Sequence, residues 1–292
     1  MFQEKAWTPP AQNQNPPRGG RGWLQVLLTG IVLFVAATLV MFLTGNPNLY
    51  PTVILVGNFL VPVAFVAFLY DHQHLSALTP ETIAKSFCLG GILGVLGASV
   101  LEALVIPRPA SPDQGLSLTS GFAVGLIEEG CKIAAVIFLA RRMRHTAPVD
   151  GLLMGAAVGM GFAALESTGY AFTAFLLSQG HVGVSIAETV IRGLIAPFGH
   201  GIWTAILATV LFRESQPHHF RITGPVILAY LFVSVLHGLW DGLPSTIYLI
   251  VPPGFHIPLV TLVLSVIGIT VFSFMFRRAT VQAIPPPTPV NP

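Results

Sequence analysis

Long apolar runs recur along the whole chain of 292 residues. Each run reaches roughly the 20 residues that an α-helix needs to cross the ~30 Å hydrocarbon core of a bilayer, and some are longer. Because no water is available in that core, the backbone groups of each run must hydrogen-bond within the run, as they do in a helix. We therefore predict a transmembrane helical bundle with about eight spans. The spans lie at about 23–44, 50–70, 83–106, 117–140, 149–178, 186–212, 222–250 and 258–276.

Composition favours an all-α membrane protein over a soluble domain. The chain is 53% hydrophobic and 9% charged, whereas soluble domains carry about 25% charged residues. The alternating pattern of a transmembrane β-barrel is absent. We interpret residues 23–278 as one transmembrane domain. Residues 1–22, which are polar, and 279–292, which are rich in proline, are predicted to be disordered cytoplasmic tails.

The distribution of Lys and Arg predicts the orientation. If the N-terminus is cytoplasmic, 11 of the 14 basic residues lie on the inner side, Arg108 lies on the outer side, and Lys132 and Arg192 lie within spans. The positive-inside rule then places both termini in the cytoplasm. The expected location is the plasma membrane, which the chain crosses several times. The inner residues are Lys5, Arg18, Arg21, Lys85, Arg141, Arg142, Arg144, Arg213, Arg221, Arg277 and Arg278.

Ionisable side chains interrupt four consecutive spans. Insertion scales put a charged residue at the bilayer centre at about 2.5–3.5 kcal/mol, so these groups should face one another or a water-filled cavity. Residues four apart share a helix face, as Glu128 does with Lys132 and His237 with Asp241. The interrupting residues are Glu128, Glu129 and Lys132 in the fourth span, Glu166 in the fifth, Arg192 and His200 in the sixth, and His237 and Asp241 in the seventh.

Each of these residues also has a purely structural interpretation, as one member of a pair that neutralises a charge or joins two helices. Glu102, near the outer end of the third span, has no local partner in the sequence and stays unassigned. The pairs expected on this interpretation are Glu128 with Lys132, Glu166 with Lys132, Glu188 with Arg192, and His237 with Asp241.

Taken together, these groups are the components of a hydrolase that activates water. A carboxylate held in a site of low dielectric can act as a general base. A histidine whose ring is fixed by a carboxylate can donate a hydrogen bond to a developing oxyanion, or bind a metal through its other nitrogen.

The ordered set Glu-Glu-x-x-Lys, Phe-x-x-x-Glu and His-x-x-x-Asp on successive spans resembles the PrsW family of intramembrane proteases. The resemblance covers about residues 50–250. That family is related to the type II CAAX prenyl proteases and to the scaffold subunit of γ-secretase. The matching residues are Glu128, Glu129, Lys132, Phe162, Glu166, His237 and Asp241, and the segment with Arg192, Pro197, His200 and Thr204 is similar to the family's penultimate motif span.

The resemblance implies a bundle of about eight helices with a site open within the membrane. It also implies cleavage of a membrane-tethered protein substrate, such as the anti-sigma factors cut in some bacteria. The relation to a scaffold subunit implies that the fold can persist without proteolysis. The expected partners are therefore this substrate and the lipid bilayer, with no nucleic acid.

We assign the roles of the predicted catalytic residues accordingly. Glu128, or its neighbour Glu129, would activate water, and Lys132 and Glu166 would tune that carboxylate. His200 and His237 would hold the oxyanion or a metal, and Asp241 would orient His237. If Zn²⁺ is used, Glu166, His200 and His237 can supply three ligands and leave a fourth position for water. A metal-free glutamate mechanism, as proposed for the CAAX relatives, fits the same residues equally well.

Two other functions use similar residues. A proton-coupled transporter also buries carboxylates and histidines, but its usual sign, two similar halves with interrupted helices, is not visible in the sequence. A non-catalytic membrane scaffold of the same fold is the second alternative. Other protease classes fit less well, since the chain has no His-Glu-x-x-His motif and Asp241 is the only aspartate well inside a predicted span.

The depth of the predicted site also follows from the span boundaries. Measured from the inner ends at ~1.5 Å per residue, Lys132 lies ~14 Å, Glu128 ~20 Å and His237 ~22 Å into a core of ~30 Å. We therefore expect water to reach the carboxylates more easily from outside. The substrate should be cut at or just beyond the outer face of its own span.

The predicted topology can be tested with reporter fusions. Because the basic residues mark the cytoplasmic loops, fusions after residues 48, 112 and 254 are expected to report the outer side. Fusions after residues 75, 145 and 217 are expected to report the inner side. A consistent inversion of the six readouts would refute the topology.

Overall fold

The structure is a computed structural model that describes residues 20–73, 76–107, 115–143, 147–216, 218–243, 248–251 and 255–281. Nearly all of this part of the chain is helical. The helices are α1 (Gly22–Thr44), α2 (Tyr50–His72), α3 (Pro80–Lys85), α4 (Gly91–Val105), α5 (Leu118–Ala140), α6 (Pro148–Leu177), α7 (Val182–Ile195), α8 (His200–Glu214), α9 (Gly224–Gly242) and α10 (Leu259–Val281).

Three short segments connect these helices. A π-helical turn, Ser86–Gly90, joins α3 to α4, and 3₁₀ turns occur at Pro47–Leu49 and Ala196–Phe198. A small antiparallel hairpin precedes α10, with β1 (Tyr248–Val251) paired to β2 (Phe255–Pro258) so that Tyr248 lies opposite Pro258. The hairpin does not change the fold class.

The predicted class, a polytopic helical membrane protein, is confirmed. Within the described residues, seven helical stretches are long and apolar enough to cross a membrane. Helix α5 is not among them, because its 23 residues include Glu128, Glu129 and Lys132. The count of eight spans and the cytoplasmic termini stay predictions, and most of both predicted tails, residues 1–19 and 282–292, lies outside the described residues.

Three predicted boundaries differ from the structure. The seventh span was predicted too long, since α9 ends at Gly242 and β1 begins at Tyr248; Gly242 and the following Pro244 both disfavour helix. The sixth span is two helices, α7 and α8, separated at 196–199, where Pro197 lacks a backbone N–H. Helix α10 continues to Val281, into the segment that was predicted to be a tail.

Close packing of α6 against α8 forms the centre of the bundle. A Cβ atom placed on Gly151, Gly155 or Gly159 of α6 would lie 2.5, 2.5 and 2.4 Å from backbone oxygens of α8. Small residues at this spacing let two transmembrane helices approach closely. Those oxygens belong to Ala208, Thr204 and His200, in that order.

Helix α5 packs against α9 in the same way. A Cβ atom on Gly121 would lie 2.7 Å from the Gly238 oxygen, and one on Gly125 would lie 2.4 Å from the Ser234 oxygen. The four helices α5, α6, α8 and α9 therefore form an inner bundle, and they carry all the predicted catalytic residues. Helix α4 covers α5 and α6 on one side. Helix α1 is peripheral, with Met41 as its only buried residue.

The α6–α8 contact makes a prediction about stability. Gly151→Ala places a methyl group against the Ala208 backbone, which cannot move away without shifting α8. The expected loss is about 1–3 kcal/mol, typical of overpacking, and it is measured as a lower unfolding temperature in detergent. Gly169→Ala on the same helix is the control, because nothing lies within 4 Å of its added Cβ. Equal unfolding temperatures of the two variants would contradict the packing argument.

Candidate active site

The inner bundle brings all the predicted site residues into one cluster. Glu129, Lys132 and His237 are at most 1% exposed, and Glu128 and His200 are also buried. The carboxylates of Glu166 and Asp241 are 18% and 24% exposed and form the accessible rim of the cluster. Helix α5 provides Glu128, Glu129 and Lys132. Helix α6 provides Glu166, α8 provides His200, and α9 provides His237 and Asp241.

Lys132 lies at the centre of the cluster. Its Nζ is 3.0 Å from Glu128 Oε2, 2.8 Å from Glu129 Oε1 and 2.8 Å from His200 Nδ1. It also lies 4.0 Å from the centre of the Phe162 ring. An ammonium group has three donors and no acceptor, so these three contacts use all its N–H groups. His200 Nδ1 must therefore be the unprotonated, accepting nitrogen of that ring.

Glu129 is enclosed by its hydrogen-bond partners. Its Oε1 accepts from Lys132 and lies 3.0 Å from His237 Nδ1, and its Oε2 accepts from the Thr204 hydroxyl at 3.3 Å. The contacts connect α5 to both α8 and α9. This carboxylate therefore fixes the positions of its neighbours.

Glu166 binds partners on two other helices. Its Oε2 lies 2.7 Å from Arg192 Nη2 and 3.2 Å from His200 Nε2. The Arg192 guanidinium is stacked 3.8 Å from the Tyr170 ring. With Nδ1 accepting from Lys132, the Nε2–H of His200 can donate to Glu166, so that His200 bridges Lys132 and Glu166.

These partners differ from two of the pairs expected from the sequence. Glu166 pairs with Arg192 and not with Lys132, and Arg192 therefore pairs with Glu166 and not with Glu188. The reason is that α7 packs beside α6 and brings the guanidinium to the carboxylate. The other two expected contacts, Glu128 with Lys132 and His237 with Asp241, are present.

His237 lies among three carboxylates. Its Nδ1 faces Glu129, and its Nε2 lies 3.3 Å from Asp241 Oδ2 and 3.5 Å from Glu128 Oε2. Two carboxylate oxygens thus converge on one ring nitrogen. A proton or a cation at this position would satisfy all three atoms.

Three residues of the cluster could hold a metal ion. Ligand atoms of Glu128, His200 and His237 all lie within 4.8 Å of one another, and all three residues are buried. One carboxylate and two imidazoles form a donor set that suits Zn²⁺. The sequence had predicted Glu166 in place of Glu128. The donor set fits a divalent cation, although His200 would have to release Lys132 or Glu166 to offer a lone pair.

Two cavities reach the cluster from the same end of the bundle. The larger, of about 500 Å³, is lined by Glu128, Glu166, Tyr170 and Asp241 together with residues of α4. The smaller, of about 190 Å³, lies between α7, α9 and the start of α10. Glu166, Tyr170 and Asp241 line both cavities. Both lie toward the ends of the helices that are predicted to face outward, and Lys132 lines neither.

Sequence reasoning did not identify the aromatic side chains around the histidines. The Trp203 ring lies 6.0 Å from the His200 ring and 5.1 Å from the His237 ring, measured between centroids, and it is fully buried. Trp240 packs edge-on against Trp203 at 5.5 Å. The only sequence signal was that each tryptophan lies three residues after a site histidine.

A helical membrane protein with buried carboxylates and histidines beside an open cavity has the fold and the groups of an intramembrane hydrolase. Residues 79–271 match the PrsW family intramembrane metalloproteases, and the chain belongs to this family of membrane proteases. The resemblance seen in the sequence is thereby confirmed. Searches of curated proteins and of solved structures gave no match.

Proposed function

We propose that the protein is an intramembrane endopeptidase in which Glu128 activates the water that attacks the peptide bond. One observation carries this assignment. Of the two adjacent glutamates, Glu128 lines the larger cavity and Glu129 does not. The Glu129 carboxylate is fully buried and contacts Lys132, His237 and Thr204, so it is not exposed to a substrate in the cavity.

The reaction begins when the Glu128 carboxylate removes a proton from a water molecule in the cavity. The water oxygen forms a bond to the carbonyl carbon of the substrate, and the carbonyl oxygen becomes an oxyanion. We assign the hydrogen bond to this oxyanion to a protonated Nε2 of His237, which lies 3.5 Å from Glu128 Oε2 and 3.3 Å from Asp241 Oδ2. The C–N bond then breaks, and Glu128 gives its proton to the departing amine.

The remaining residues hold these groups in position. Lys132 donates to Glu128 Oε2 at 3.0 Å, which fixes that carboxylate and offsets its charge. Asp241 and Glu129 contact opposite nitrogens of His237 and set its orientation. Glu166 and His200 link this group to Arg192.

The family description includes a metal, and we propose Glu128, His200 and His237 as the residues that would hold it. When bound, the ion would supply Lewis-acid polarisation of the scissile carbonyl. Metal analysis of purified protein distinguishes this from the metal-free mechanism. If an ion binds at this site, the purified wild type should contain about one equivalent of metal, and His237→Ala should lose it.

The proposed substrate is a membrane-tethered protein, of which an anti-sigma factor is one example, and the proposed location is the plasma membrane. The family membership supports a membrane protease, and the buried position of the cluster within the helical bundle supports a substrate that is itself in the membrane. A purified single-span substrate that stays intact would favour a transporter or a scaffold.

Glu128→Gln, Glu129→Gln and His237→Ala are each expected to abolish cleavage of a single-span substrate. For Glu128→Gln the rate should fall at least about 100-fold, because a general base contributes roughly 10²–10⁴-fold. Protein level and unfolding temperature should change much less than activity, because a Gln amide oxygen can still accept from Lys132 and packing holds the bundle together. Glu81→Gln is the control, since Glu81 is an exposed residue that pairs with Lys85 at the other end of the bundle. Full activity in all three variants would show that the site is wrong.

The scissile bond is expected in the outer half of the substrate's span or just beyond it. Both cavities open toward the helix ends that are predicted to face outward, so an extended peptide can reach Glu128 from that side. Mass spectrometry of the two product fragments locates the cut. Fragments that place it in the cytoplasmic half would contradict the depth argument even if the protein is a protease.

A further inference from the structure

Glu102 is a carboxylate in the larger cavity that the proposed mechanism does not use. It lies in the last turn of α4 and lines the cavity together with Glu128, Glu166 and Asp241. Its Oε1 is buried and has no hydrogen-bond partner. Within the described part of the chain it takes part in no ion pair.

Helix α4 presents one face to this cavity. The lining residues recur at helical spacing, so they form a single stripe along the helix. Apart from Glu102 and the Ser99 hydroxyl, this stripe is apolar. Its members are Val95, Ala98, Ser99, Glu102 and Ile106.

The other three carboxylates of the cavity each have a basic partner from the protein. Glu128 contacts Lys132, Glu166 contacts Arg192, and Asp241 contacts His237. Among the described residues that line this cavity there is no Lys, Arg or His. No described residue of the lining therefore supplies a positive charge for Glu102, and a molecule that enters the cavity can supply one.

We propose that Glu102 is a specificity-determining residue that binds a Lys or Arg side chain of the substrate near the scissile bond. This inference rests on the proposed function and names the substrate class. Charge-assisted hydrogen bonds to a carboxylate are stronger than neutral ones, and a long basic side chain can reach along an apolar wall with its head group at the carboxylate. Basic residues are uncommon on the outer flank of a span, so this requirement would reject most single-span proteins.

The test measures the binding of synthetic single-span peptides to the purified protein in lipid nanodiscs. Each peptide has a Leu- and Ala-rich span and one Lys, Arg or Gln placed in turn at successive outer-flank positions. We expect the wild type to bind a Lys and an Arg peptide at least about tenfold more tightly than the matched Gln peptide. This is the lower end of the effect of a hydrogen bond to a charged group.

The Glu102→Gln variant should bind all three peptides equally. Glu188→Gln, which removes a carboxylate at the same end of the bundle but outside the larger cavity, should keep the preference. If Glu102→Gln does not fold, Glu102→Ala is tested with the same three peptides, and the preference for Lys and Arg should again be lost. Equal binding by the wild type, no binding at all, or a preference that survives in Glu102→Gln would overturn the proposal.

The same mixtures are analysed for cleavage products, which separates this inference from the proposed function. Glu102-dependent binding of basic peptides without any product would refute the peptidase assignment and leave the role of Glu102 intact. Cleavage at equal rates of Lys, Arg and Gln peptides, with equal binding, would support the peptidase and refute the role of Glu102.

Discussion

The arrangement of the site depends on one buried ammonium group. Lys132 is fully buried inside a helical bundle of a membrane protein, where an unpaired charge would be strongly destabilising. Its three N–H groups must all find acceptors, and they find them on Glu128, Glu129 and His200. These contacts fix the rotamers of two carboxylates and the tautomer of one histidine. They also require α5 and α8 to stay at one distance and one rotation, which the close contact of α6 with α8 supports.

Glu128 and Glu129 are adjacent in the sequence, and this explains why their carboxylates have different surroundings. Consecutive residues of an α-helix point about 100° apart, so the two carboxylates extend in different directions even though both reach Lys132 and His237. One carboxylate faces the larger cavity, and the other faces Thr204 of α8 and His237 of α9. The tandem pair thus combines a group open to substrate with a group that holds the surrounding helices. The sequence did not determine which of the two glutamates faces the cavity, because the rotation of α5 relative to its neighbours is set by tertiary packing.

Much of the fold and the membership of the cluster could be predicted, and the pairing between helices could not. Apolar length predicts helices in a bilayer almost without regard to side-chain detail, and the cost of intramembrane charge requires the polar residues of different spans to meet. Contacts within one helix, such as Glu128 with Lys132, follow from the i, i+4 spacing. The pairing of Glu166 with Arg192 depends on how α7 lies beside α6, and local spacing suggested other partners. The break at Pro197 was visible as a helix-disrupting residue, but the resulting division into α7 and α8 was not predicted.

The peripheral position of α1 separates the first described helix from the candidate active site. Helix α1 packs chiefly against α2, while the cluster is carried by α5, α6, α8 and α9. Among the described residues, a disturbance of α1 reaches the cluster mainly through α2, which forms a second layer of helix. Affinity tags, fluorescent proteins or a surface tether attached there should therefore be tolerated. The N-terminus is accordingly the natural place to immobilise this protein for single-molecule work.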